Sequence, residues 1–224
     1  MEVCTWMNNL FEANSISPFE FYSKLEHVMN RVDTKVNTII LFGPTNTGKS
    51  LLCKLATEFL MSGTISRSEN TVFAYENLLD RTVAILEEPR INAANVNDMK
   101  QLFGGETFEV SVKYKPMQFL ERIPVIVTTN EYIGSRLTDI DCAALESRFY
   151  QFNFSIQIAS RTVDGQMDAP PCRLCTCHWA NFVKYVNHRH YDLPCTVEPL
   201  SIGYVHEEPT NPNKENIEHG DVLQ

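Results

Sequence analysis

Gly43-Pro44-Thr45-Asn46-Thr47-Gly48-Lys49-Ser50 matches the pattern G-x-x-x-x-G-K-[ST] at every fixed position. It follows Thr38-Ile39-Ile40-Leu41-Phe42, a short β-branched apolar run that reads as a buried parallel strand. It opens a helix expected over Leu51–Met61 and stopped near Ser62-Gly63. In that setting the glycines let backbone N–H groups turn inward around a triphosphate, and the helix N-terminus adds partial positive charge. Lys49 is expected to reach the β/γ-phosphates and Ser50 to ligate Mg²⁺, with the whole run Gly43 to Leu51 forming the ATP contact. A chance match is possible for any short pattern; a strand before it and a helix after it argue for the phosphate-binding reading.

Two further strands flank this loop in the sequence. Thr82-Val83-Ala84-Ile85-Leu86 ends in Glu87-Glu88-Pro89, and Pro124-Val125-Ile126-Val127-Thr128-Thr129 ends in Asn130. Paired acids after a buried strand suit phosphoryl chemistry: Glu87 is assigned to Mg²⁺ through its water shell, and Glu88 to the attacking water. Asn130 is placed to direct its amide at the γ-phosphate and that water; without the loop it would read as an ordinary turn residue. Asn97–Phe103 reads as a short helix stopped by Gly104-Gly105, and Phe108–Lys115 alternates as an exposed strand or hairpin arm. Upstream, residues 1–36 read as helical, with Ser17-Pro18 as a start signal and Phe21, Leu25, Val28 and Val32 on one face. Strands alternating with helices predict an α/β fold: a P-loop ATPase with a central parallel sheet flanked by helices.

Composition narrows the function classes. The chain has 224 residues, 43% of them hydrophobic, and a formal net charge of −9. Wholesale disorder is excluded, and no apolar run approaches the roughly 18 residues of a spanning helix, so no membrane partner is expected. No secretory leader is legible at Met1. The acidic balance argues against a surface that grips nucleic acid throughout, but residues 205–224 carry five acidic side chains against Lys214, close to half of the excess. Of 7 Cys, four fall together: Cys172, Cys175, Cys177 and Cys195, among His178, His188 and His190. Thiolates and imidazoles at such spacing can hold a structural Zn²⁺, with Cys172, Cys175, His188 and Cys195 as the candidate set and free thiols as the competing reading. Trp179, Phe182, Val183 and Val186 suggest an amphipathic helix giving that module its core.

The close order of loop, paired acids and strand-plus-Asn resembles superfamily 3 helicases, the AAA+-like motors of small DNA and RNA viruses. Lys100-Gln101-Leu102-Phe103-Gly104-Gly105 followed by Val110-Ser111-Val112-Lys113-Tyr114-Lys115 looks like that family's B′ segment. The match is closest to the replication initiators of parvoviruses, over about residues 20–155. The resemblance implies a ring-forming homo-oligomer, a hexamer, that translocates on single-stranded DNA with ATP and Mg²⁺. It implies a B′ hairpin in which Lys113 is the main phosphate contact, with Lys115 and Lys100 nearby. It implies an arginine finger at Arg148 acting across a subunit boundary, work in the host nucleus, and replication proteins of host or virus as partners. The expected division is a helical segment at 1–36, an ATPase core at 37–160, a Cys/His module at 161–204 and an acidic tail at 205–224. His188-Arg189-His190 with Tyr191 is rejected as an origin-nicking site, and the short segment before Thr38 reads as the start of a piece of a longer initiator. Two alternatives stand: a picornavirus-type motor acting on RNA, and a packaging or scaffold protein that mainly binds.

Overall fold

The computed structural model describes residues 5–65, 71–158 and 177–191. Its centre is β1 (Thr38–Phe42), where Ile39 and Leu41 enter one apolar cluster and Ile40 the other. Alternate side chains of a strand point to opposite faces, so a strand apolar at every position must be covered on both. On one side β1 pairs in parallel with β6 (Val125–Thr129), and on the other with β7 (Phe149–Asn153). β3 (Val83–Glu87) lies beyond β6, and the two-residue β2 (Ser62–Gly63) beyond β3, giving the parallel order β2-β3-β6-β1-β7. The α/β class and the three buried strands stand as the sequence predicts.

The helices divide between the two faces. α1 (Thr5–Ala13), α2 (Pro18–Met29), α3 (Lys49–Thr57) and α6 (Cys177–Tyr191) share the cluster of Ile39, Leu41 and Phe152. α4 (Val96–Gly104) and a small antiparallel hairpin, β4 (Phe108–Val110) and β5 (Gln118–Leu120), cover the other face with α5 (Asp139–Glu146). None of the described helices is long and apolar enough to cross a membrane.

Several boundaries differ from the sequence reading. In α2 the Ser17 hydroxyl accepts from Glu20 N at 3.3 Å, and Phe21, Leu25 and Val28 are buried as expected. Val32 is not on that face. The helix ends at Met29, Arg31 takes a left-handed φ of 57°, and Val32 is exposed. α3 stops at Thr57, short of Met61, and Ser62-Gly63 joins the sheet edge instead of merely ending a helix. Gly63 is needed there because a Cβ would lie 2.4 Å from the Asn77 carbonyl oxygen. α5 and β7 were not anticipated.

α6 also departs from expectation. Phe182 and Val186 are buried against α1 and α2, and the Phe182 ring stacks on Phe11 with centroids 5.1 Å apart. Its apolar face therefore completes the core beside the sheet, while the rest of the expected Cys/His module at 161–204 lies outside the described residues. Of the candidate zinc set, Cys172, Cys175 and Cys195 lie outside the described residues, as does the side chain of His188. Among the described residues no group of three His, Cys, Asp or Glu side chains gathers.

Candidate functional site

In a parallel sheet all strands present the same end to one edge, where ligand-binding loops collect. Here the ends of β1, β3 and β6 supply the loop from Gly43, the acids Glu87 and Glu88, and Asn130. The loop turns through backbone that favours glycine: Gly43 has φ +147° and Gly48, the residue before α3, φ +88°. Gly43 is also sterically obligatory, because a Cβ there would sit 1.8 Å from Phe154 O.

That contact belongs to a strap formed by the chain after β7. Phe154 N donates to Phe42 O at 2.7 Å and Ile158 N to Asn46 O at 2.7 Å. On its other side, Ser155 N and Ile156 N donate to Asn14 Oδ1 at 2.7 and 3.0 Å. Leu10 of α1 reaches under the loop, 3.5 Å from where a Gly48 Cβ would stand. The outer wall of the loop is thus built from α1 and the strap. Sequence reasoning missed Asn14 because an Asn ahead of Ser15 reads only as a turn signal.

Lys49 is 6% exposed, and its three ammonium N–H groups are shared among Gly43 O at 2.7 Å, Pro44 O at 2.6 Å, Thr47 Oγ1 at 3.2 Å and Asn130 Oδ1 at 3.1 Å. Burial pulls its pKa below the ordinary lysine value, and the charge of Glu88 works in the opposite direction. Glu88 sits at φ +47°, an uncommon conformation for glutamate of the kind that clusters at functional sites. Its Oε2 accepts from Asn130 N at 3.1 Å and from Thr129 Oγ1 at 3.5 Å. Lys49, Asn130 and Glu88 form one hydrogen-bonded line across three strand ends.

Ser50 and Glu87 line the same cavity of about 680 Å³, together with Cys53 and Lys54 of α3. A hydroxyl and a carboxylate are hard oxygen donors, so this pair fits a Mg²⁺ that keeps waters in its remaining positions. Burial, reinforced by Glu87, pushes the Cys53 thiol up to about 12, which keeps it a neutral thiol at neutral pH.

The remaining candidates lie elsewhere. Arg148 immediately precedes β7, whose Phe149 pairs with Thr38 at the start of β1, whereas Gly43 follows the end of β1. It therefore stands at the opposite edge of the sheet from its own loop. Its guanidinium donates to Ala144 O, donates to Ser147 Oγ at 3.4 Å, and lies 3.8 Å from Glu106. Lys100 is held by Asp141 at 2.6 Å, joining α4 to α5. Lys113 and Lys115 are exposed in the turn between β4 and β5, with the Lys113 ammonium 5.8 Å from the centroid of Phe73.

Residues 5–198 match the family described as parvovirus non-structural protein NS1. The initiator protein NS1 of Aedes albopictus densovirus is 29% identical over 158 residues, 69% of this chain and 20% of that protein. That of Aedes densonucleosis virus is 27% identical over 197 residues, 81% of this chain and 23% of that protein. That of human bocavirus 2 is 29% identical over 136 residues, 58% of this chain and 18% of that protein. The chain thus spans about a fifth of the length of these relatives. Among solved structures, JCV helicase aligns at 18% identity and a TM-score of 0.49, over 62% of this chain and 40% of its own. The NrS-1 C-terminal region aligns at 18% identity and 0.49, over 84% and 42%. With the family match covering most of its length, this chain belongs to the parvovirus non-structural protein NS1 family.

Proposed function

We propose that this chain is the ATP-hydrolysing helicase motor of a viral replication initiator, working as a hexameric ring on single-stranded DNA. The observation that carries the proposal is the line Lys49–Asn130–Glu88 across the ends of β1, β6 and β3. A triphosphate entering the loop would replace carbonyl partners of Lys49 with charged phosphate oxygens, which accept stronger hydrogen bonds. Mg²⁺, for which Ser50 and Glu87 are suited, would neutralise charge on the phosphates.

Glu88 would take the proton from a water as the water oxygen bonds to the γ-phosphorus and the bond to the β-phosphate oxygen breaks, giving ADP and phosphate. Asn130 would orient that water while its backbone N–H fixes Glu88. Arg148, remote from its own loop, would complete the site of a neighbouring subunit, as a permanently charged guanidinium can. Lys113 and Lys115 would meet DNA phosphates; Lys100 could join them only by leaving Asp141. The host nucleus and other replication proteins complete the proposed setting.

Steady-state ATPase measurements on Lys49→Ala and Glu88→Gln test the chemistry, with a loss of roughly 10²-fold or more expected from removing the base. Wild-type rates in both variants would refute it. Lys113→Ala should abolish unwinding while sparing basal ATPase. Stronger stimulation by single-stranded RNA than by DNA would favour the RNA motor instead.

A further inference from the structure

The tip of the β4–β5 hairpin holds an aromatic side chain where backbone geometry asks for something else. Lys115 N donates to Val112 O at 3.4 Å, closing a four-residue turn with Lys113 and Tyr114 at its centre. Tyr114 is the third residue of that turn and has φ +60°, a position that favours glycine or asparagine. A bulky side chain gains nothing locally from such a conformation. Nor does its ring pack on the protein: Tyr114 is 103% exposed, while Val112, two residues before it, is 7% exposed and roots the turn. The lysines on either side, Lys113 and Lys115, are exposed as well.

We propose that Tyr114 is a stacking platform for a base of single-stranded DNA, with Lys113 and Lys115 neutralising the flanking phosphates. The proposal rests on the motor reading and names how that motor would hold its substrate. Two features of the tip favour it. A rigid aromatic face has two rotatable torsions to immobilise, and every base offers a π-surface, so stacking binds without reading sequence. Alternation of cation, ring and cation along Lys113-Tyr114-Lys115 matches the alternation of phosphate and base along a strand. Because the turn is anchored by Val112, Val110 and Leu120, the ring is presented on a fixed base.

The test uses the full chain with Mg²⁺, a non-hydrolysable ATP analogue and an oligo-dT carrying one 2-aminopurine. Wild-type protein should quench the 2-aminopurine through stacking. Tyr114→Ala should lose that quenching and weaken binding roughly 5- to 100-fold, while Tyr114→Trp retains both. Tyr114→Gly relieves the backbone and should bind as weakly as Tyr114→Ala. The slope of log affinity against log salt should stay at the wild-type value in Tyr114→Ala, whereas Lys113→Ala should reduce it by about 0.7. If wild type binds the oligonucleotide and Tyr114→Ala binds equally with unchanged fluorescence, stacking is refuted and the motor reading survives. If wild type does not bind single-stranded DNA, both fall.

Discussion

Gly43→Ala is expected to damage the loop through the strap behind it. The added Cβ would stand 1.8 Å from Phe154 O and 2.7 Å from Phe154 C. Both obstacles are backbone atoms, so no rotamer change can relieve them, and Phe154 is itself fully buried. To clear both atoms the chain must distort the loop and release the bond from Phe154 N to Phe42 O. A disallowed backbone conformation costs about 1–3 kcal/mol and a lost hydrogen bond about 1 kcal/mol, so the expected destabilisation is roughly 2–4 kcal/mol. At a urea dependence of about 2 kcal/mol per molar, the unfolding midpoint falls by about 1–2 M. Gly104→Ala is the control. Its Cβ would meet Arg148 Nε at 3.2 Å, a side chain that can move, and alanine is the better helix former, so the change should stay within about 1 kcal/mol. Equilibrium urea unfolding of both variants, with titration of a fluorescent ATP analogue, measures the difference. Equal midpoints for the two variants, with unaltered nucleotide affinity in Gly43→Ala, would refute the locked strap.

Asn37 is fully buried, donating from Nδ2 to Leu102 O at 3.1 Å and Ile123 O at 2.6 Å and accepting from Arg122 Nε at 3.0 Å. Leu102 O keeps its bond from Gly105 N, so Asn37→Ala strands Ile123 O and Arg122 Nε and should cost roughly 2–4 kcal/mol in urea unfolding, with the denaturant slope unchanged. The Lys100 ammonium and the Thr138 hydroxyl hold the Asp141 carboxyl below its ordinary range. A depressed carboxylate stabilises the fold above the unfolded value near 4 and loses that contribution as pH falls through the folded value. The difference in Tm between wild type and Asp141→Asn should therefore be constant above about pH 5 and shrink in acid; a gap that widens in acid would reverse the assignment. Asn130→Ala removes an acceptor from Lys49 and should lower ATPase turnover more than nucleotide affinity, a split that kcat and Kd measured separately will show. Finally, Arg148→Ala and Lys49→Ala chains should each be inactive alone and regain ATPase on mixing, up to about a quarter of wild type for random assembly. No recovery would place the finger elsewhere.

Legibility followed burial and motif spacing. β1, β3 and β6 are covered on both faces, so their sequences are continuous apolar runs, and each carries its functional residue at or just after its end. β7 is an edge strand with Gln151 exposed and Phe149 and Tyr150 half-buried, and its pattern is correspondingly diluted. α5 buries only Leu145 and begins with two aspartates, which leaves it little apolar periodicity to read. Within the site, Lys49, Glu88 and Asn130 were readable because their chemistry fixes their residue types. The strap was not, because Phe42, Phe154, Asn46 and Ile158 join through backbone groups that any residue carries. Arg148 could be named from its segment, but only the parallel pairing of β7 with β1 shows that it stands away from its own loop.

The stacking of Phe182 on Phe11 has a consequence for how the chain is made. Met7, Leu10 and Phe11 are wholly inaccessible to solvent, and part of their cover arrives with α6, the last helix described. During synthesis the loop, the sheet and the hairpin all emerge before that cover exists. The apolar side of α1 must then wait in water, or with a chaperone, until the segment beyond residue 177 leaves the ribosome. A version cut at residue 160, the boundary that the motif spacing alone suggests, would keep every residue of the candidate nucleotide site and still leave Phe11 uncovered. Expression boundaries for this protein are therefore better set by the aromatic pair than by the motifs at the strand ends.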